Sequence, residues 1–167
     1  MAAGATYVPI ATQTLGSSAS TVTFSSIPST YTDLVLIMQS ATTPSADDIG
    51  MRFNNDSGTN YSSTAVSGNG SSAYSDRSSN ALSIQLDYRS YDSTTLSRMS
   101  VINIQNYANT STYKTAILRN SNANVGVEAT VGLWRSTSAI TRVDLYGIGG
   151  NSFASGSTFT LYGIAAA

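Results

Sequence analysis

Histidine and cysteine are both absent from the 167 residues. With them go the commonest general base, the imidazole and thiolate metal ligands, and every Ser-His or Cys-His nucleophile pair. The single lysine, Lys114, stands in Tyr113-Lys114-Thr115 without the motif that accompanies a Ser-Lys dyad. Cleaving a glycoside requires two carboxylates facing each other across a sugar. Asp33, Asp87, Asp92, Glu128 and Asp144 are available, and nothing in their spacing singles out a pair. Carboxylates at strand edges more commonly stay solvated or pair with a cross-strand arginine, for which Arg89, Arg135 and Arg142 are at hand. The expectation is a protein that is not an enzyme, with no catalytic residue, no cofactor and no metal.

Two weaker chemistries are written in the polar segments. Asp47-Asp48 followed by Asn54-Asn55-Asp56, Thr59 and Asn60 offers oxygen ligands at the spacing of a calcium loop, without the EF-hand pattern. Asn and Asp that cap their own backbone in a turn give the same letters, and that reading is preferred. Tyr61, Tyr74, Tyr91 and Trp134 are candidate contact residues, aromatic platforms on which a host glycan could stack. Four Asn-x-Ser/Thr sequons begin at Asn55, Asn60, Asn69 and Asn109. In a chain where Ser and Thr make up about 50 residues, such triplets arise by composition alone.

Charge adds little. Nine acidic residues against eight basic ones leave a net of -1, and the arginines, scattered from Arg52 to Arg142, form no basic run. A phosphate-tracking nucleic-acid surface is not expected. Met1 to Ile10 has neither the positive start nor the apolar stretch of a signal peptide. The longest apolar run, Leu34 to Met38, is far too short to span a bilayer as a helix, so no membrane partner is expected.

The elements that must carry these residues are strands. Glu and Lys each occur once, and no long segment has apolar residues three and four apart. Alternation dominates instead. Leu82, Ile84, Leu86 and Tyr88 oppose Ser83, Gln85 and Asp87. Val125, Val127, Ala129, Val131 and Leu133 oppose Glu128 and Thr130, and the apolar set is expected to face the core. Val143 with Leu145 and Phe159 with Leu161 repeat the pattern. Leu34 to Met38 and Val101-Ile102 are apolar on both sides and read as central strands. Further strands are expected near Tyr7 to Thr14, Ser20 to Phe24, Ile49 to Asn54, Tyr113 to Arg119 and Ile140 to Ile148. The sum is an all-β chain, an antiparallel β-sandwich, jelly-roll-like, of about nine or ten strands. Residues 1-15 read as an N-terminal arm or first strand, and residues 16-167 as a single β-sandwich domain. Asn54 to Asn80, full of turn residues, is expected to be the least ordered stretch. Leu145-Tyr146-Gly147-Ile148 returns as Leu161-Tyr162-Gly163-Ile164, two occurrences and not a solenoid period.

Several stretches resemble a group of small structural proteins of tailed bacteriophages, many from cyanobacterial and marine phages. They are Phe24-Ser25-Ser26-Ile27-Pro28-Ser29-Thr30-Tyr31-Thr32-Asp33-Leu34, Arg52-Phe53-Asn54 with Gly58-Thr59-Asn60-Tyr61-Ser62, and Asn106-Tyr107 leading to Tyr113-Lys114-Thr115. Gly132-Leu133-Trp134 with Ala139-Ile140, and the segment from Gly156-Ser157 to Leu161-Tyr162-Gly163-Ile164, complete them. Together they cover most of the chain. The resemblance implies a β-sandwich located in the virion, typically a homotrimer, that coats a capsid as a cement or decoration protein or forms part of a tail fibre. It carries no catalytic residues. Of the two roles the capsid is favoured, since one domain accounts for the chain from Met1 and neither a shaft nor an attachment repeat is visible. The expected partners are then the major capsid protein or other virion proteins. The alternative is a receptor-binding module recognising a host surface glycan. In the capsid role the arm from Met1 to Leu15 is expected to make part of the contact.

Overall fold

The computed structural model describes residues 6–89, 95 and 97–165. Every regular element among them is a β-strand, and every pairing is antiparallel. The large sheet runs β1 (Tyr7–Thr14), β14 (Thr158–Ile164), β3 (Asp33–Ser40), β9 (Arg98–Ile104), β10 (Lys114–Asn122), β11 (Gly126–Trp134), β6 (Tyr61–Gly68) and β7 (Ala73–Ala81). The small sheet runs β2 (Thr21–Phe24), β12 (Val143–Gly147), β5 (Ile49–Phe53) and β8 (Ile84–Gln85). A two-residue ribbon joins β13 (Ser152–Phe153) to β4 (Thr42–Thr43).

The core lies between the two sheets, so the all-β sandwich expected from alternation is the observed fold. Val22, Phe24, Met51, Phe53, Val143 and Leu145 come from the small sheet. Leu34, Leu36, Met38, Ile102, Ile104, Leu118, Phe159 and Leu161 meet them from the large one. Among the described residues fourteen strands are present where nine or ten were expected. Two of the additional ones, β4 and β13, are two-residue pieces that no periodicity could announce. The strand expected from Leu82 to Tyr88 shortens to β8, with Leu82 exposed and Ser83 and Asp87 buried beside Ile84 and Leu86. The β6–β7 hairpin is a real correction, because it occupies most of the stretch expected to be least ordered. Tyr61, Ser63, Ala65 and Ser67 point inward while Ser62, Thr64 and Val66 point outward. The alternation is there but is written largely in hydroxyls, and the turn is confined to residues 69–72, with Gly70 at φ 87° and Asn69 Oδ1 accepting the Ser71 and Ser72 N–H groups.

The second correction concerns β11, whose faces are the reverse of the expected ones. Glu128, Thr130 and Trp134 are buried, and Val127 and Val131 stand in solvent. Cross-strand neighbours must share a face, and a one-residue slip would turn every side chain over. Trp134 pairs with Tyr61 and Lys114, and Thr130 with Leu118 and Ala65. Burying the Trp134 ring alone is worth about 4–6 kcal/mol, against roughly 1.5 kcal/mol for each valine left outside. Gly132, between them on the inner face, makes room for Ile84.

Both Leu-Tyr-Gly-Ile segments sit at equivalent places, one in each sheet. Leu145 and Leu161 are buried, and Tyr146 and Tyr162 lie on the outward side of β12 and β14. The first residues of the chain, Met1 to Ala5, lie outside the described residues. Tyr7–Thr14 is the edge strand β1, paired along its length with β14.

Candidate functional site

Several of the candidate acids and bases are engaged in structural contacts. Asp87 and Arg98 form an ion pair with both side chains fully buried, and Asp87 also accepts the Ile49 N–H at 3.0 Å. Asp144 is gripped by Arg142 through Nε and Nη2 at 2.8–3.0 Å and accepts the Thr23 hydroxyl at 2.6 Å. Asp33 accepts the Asn106 N–H at 2.6 Å. Lys114 is buried at the start of β10, its Nζ donating to the carbonyls of Thr112 at 2.8 Å and Thr137 at 3.2 Å. Burial holds its pKa below the ordinary value. Asp92 lies outside the described residues.

Glu128 is the most perturbed carboxyl. It is 3% exposed on the inner face, and burial pushes it up to about 7, with the Asp87 and Asp76 charges adding to the rise. Hydrogen bonds from the Thr130 hydroxyl at 2.9 Å and the Tyr88 N–H at 3.3 Å pull the other way. A pKa in this range suits a general acid. Asp87, the carboxyl nearest to it in effect, is locked to Arg98, so the two do not form the facing pair that glycoside cleavage requires.

The calcium reading also meets occupied ligands. Asp47 accepts the Gly149 and Asn151 N–H groups at 2.9–3.1 Å. Asp56 accepts from Gly58 N, Asn60 Nδ2 and Trp134 Nε1 at 2.7–2.9 Å. The Gly58 and Asn60 bonds close a local turn, whereas the Asp47 bonds and the Trp134 bond tie together segments distant in the chain, and no group of three or more acidic side chains converges among the described residues.

Of the four candidate aromatics, two meet inside the core. Tyr61 and Trp134 are buried pegs of the core, stacked on each other with ring centroids 6.3 Å apart and planes 14° apart. Neither offers a ring face to a ligand. Tyr74 stands on the edge strand β7, half-exposed, with the Arg89 guanidinium 4.2 Å from its ring centroid and Asp76 holding that arginine at 2.7 Å. Tyr91 lies outside the described residues.

The surface feature that sequence reasoning missed is the outer face of the large sheet. Its register places Val101, Arg119, Ala129 and Val66 in one row and Met99, Ser121, Val127 and Gly68 in the next. Ile117 and Val131 pair on the other side of the first row. Val66 is 59% exposed and Val127 62%, with Met99, Ile117 and Val131 close behind. Arg119 stands out among them, and Arg77 is exposed at the β7 end of the row that Ile117, Val131 and Thr64 form. The five most exposed residues present on the order of 450 Å² of apolar surface, close to the apolar share of the roughly 800 Å² that one partner gives to a standard interface. Nothing in the letters of β11 distinguishes an apolar face turned outward from one turned inward. The sequence matches no protein-family model, and no curated protein matches it.

Proposed function

We propose that this protein is a structural component of a tailed-phage virion, a decoration or cement protein that binds the capsid through the outer face of its large sheet. The observation that carries the reading is the exposed patch of Val66, Met99, Ile117, Val127 and Val131, spread over adjoining rows of the large sheet. Contiguous apolar surface kept in water costs solubility and is retained where a partner covers it. Arg119 at its centre argues for a partner other than a second copy laid face to face, since two guanidiniums would then approach each other as the surface dries. An apolar surface carrying a carboxylate fits, and we assign it to the major capsid protein. A homotrimer would present three such faces at once, and multivalency raises avidity without any new contact.

Copy number per particle tests the reading, measured by quantitative mass spectrometry on purified virions. Hundreds of copies, in fixed ratio to the major capsid protein, are expected. A handful in multiples of three would move the protein to the tail and favour a receptor-binding module, and absence from the particle would overturn both virion roles.

A further inference from the structure

The outer face of the small sheet carries a second, chemically different surface. Thr23, Asp144 and Arg52 stand side by side on β2, β12 and β5, and Thr21, Tyr146 and Gly50 form the next row. Gly50 has no side chain, and a Cβ there would lie 2.8 Å from Tyr146 Cζ. The glycine lets the tyrosine ring lie down across β5. The Arg52 guanidinium then sits 4.4 Å from the ring centroid, and its Nε donates to the Leu82 carbonyl at 2.9 Å. Arg142, at the entry to β12, is held by Asp144 through Nε and Nη2, and its side chain remains 41% exposed. Asn55, Gly147, Gly150 and Asn151 close the rim of a cleft of about 400 Å³, within the range of small-ligand sites.

Both arginines are therefore fixed along one edge by the protein, while the terminal nitrogens of Arg52 and Nη1 of Arg142 engage no acceptor among the described residues. That is the pre-organised fork that receives a carboxylate in two parallel hydrogen bonds. The cleft holds two guanidiniums and one carboxylate, a net of one positive charge, so a single negative charge balances it. Asp144, buried and already bonded to Arg142 and Thr23, repels a second negative charge. The remaining lining is hydroxyl and amide, from Ser20, Thr21, Tyr146, Asn55 and Asn151, and it suits the hydroxyls of a sugar. A phosphate dianion brings one negative charge too many beside Asp144, and a neutral sugar leaves the arginines without an anion.

We propose that this cleft binds a carboxylated sugar, a uronic-acid residue of an acidic polysaccharide, with Arg52 as the carboxylate-holding residue. The site lies on the opposite sheet from the apolar face and is independent of the capsid reading.

The test is a titration of the full chain, followed by amide chemical shifts, with galacturonate oligomers, their methyl esters, and inorganic phosphate. Saturable shifts are expected at Arg52, Tyr146 and Asn151 with the acid form. At least tenfold weaker binding is expected for the methyl ester and for R52Q. The ester removes the ligand's charge without touching the protein, so the proposal stays testable even if R52Q misfolds. No saturable shift with the acid, equal binding of the ester, or phosphate binding as tightly as the oligomer would each overturn it.

Discussion

Ile84 occupies the space in which a side chain on Gly132 would stand: a Cβ built on the glycine comes within 2.5 Å of Ile84 Cγ2. This contact ties β8 of the small sheet to β11 of the large one, at the point where β11 turns its valines outward. Gly132→Ala forces a methyl into a filled site, and overpacking of this kind costs about 1–3 kcal/mol. A lowered thermal midpoint is expected for G132A, measured by circular dichroism. An unchanged midpoint would mean that Ile84 does not set the spacing of the sheets.

Glu128 makes stability depend on pH with an unusual sign. Its folded-state pKa of about 7 lies above the ordinary 4.5, so the folded protein holds a proton that the unfolded chain releases. Its contribution is fully present below about pH 4.5 and is lost as pH rises through 7, with a span on the order of 3 kcal/mol by linkage. The register supports a protonated form. Asn120 and Ser67 are the cross-strand neighbours of Glu128, and Asn120 Oδ1 and Ser67 Oγ are buried without hydrogen-bond partners. Asp87, Asp76 and Tyr88 are the other groups that act on it. Denaturant titrations of the wild type and Glu128→Gln at pH 5 and pH 8 should show the difference between the two proteins changing with pH. A constant difference would rule out a raised Glu128.

Asp56 works in the opposite direction. Burial raises its pKa, yet the bonds from Trp134, Asn60 and Gly58 outweigh that and hold the carboxyl below its ordinary value. Its stabilisation is present at neutral pH and is lost as pH falls through the folded-state pKa. Asp56→Ala leaves the buried Trp134 N–H without its acceptor, a loss of about 1–3 kcal/mol. The measurement is the urea midpoint at pH 7, and a shift too small to detect would show that water replaces the carboxylate there.

Val66 and Val127 should be separable from the fold. Both are exposed on interior strands of the large sheet, so Val66→Asp with Val127→Asp is expected to leave the thermal midpoint within a few degrees. On the proposed capsid role, the same double variant should lose particle binding in a co-sedimentation assay. Undiminished binding would place the contact elsewhere on the molecule.

The fold class was legible because alternation needs only local sequence: a strand sends successive side chains to opposite faces, and a period of two survives even in a chain rich in Ser and Thr. The strands β12 and β14 were readable for that reason, and β3 was readable as a continuous apolar run. The absence of histidine and cysteine likewise narrowed the chemistry before any coordinates. Which face of a strand turns inward is not a local property. In β11 it is decided by Tyr61, Ala65 and Leu118 on neighbouring strands, so the valines that looked like core became surface, and Trp134, which looked like a ligand platform, became core. The cleft on the small sheet is of the same kind. Arg52 on β5 and Arg142 at the entry to β12 lie far apart in the chain but flank Asp144, and Gly50 lets Tyr146 lie down beside Arg52. Alternation determined that there would be two faces. Only the pairing of distant strands decided what each face would meet, because burial is settled by the sum over all neighbours of a side chain and not by the side chain alone.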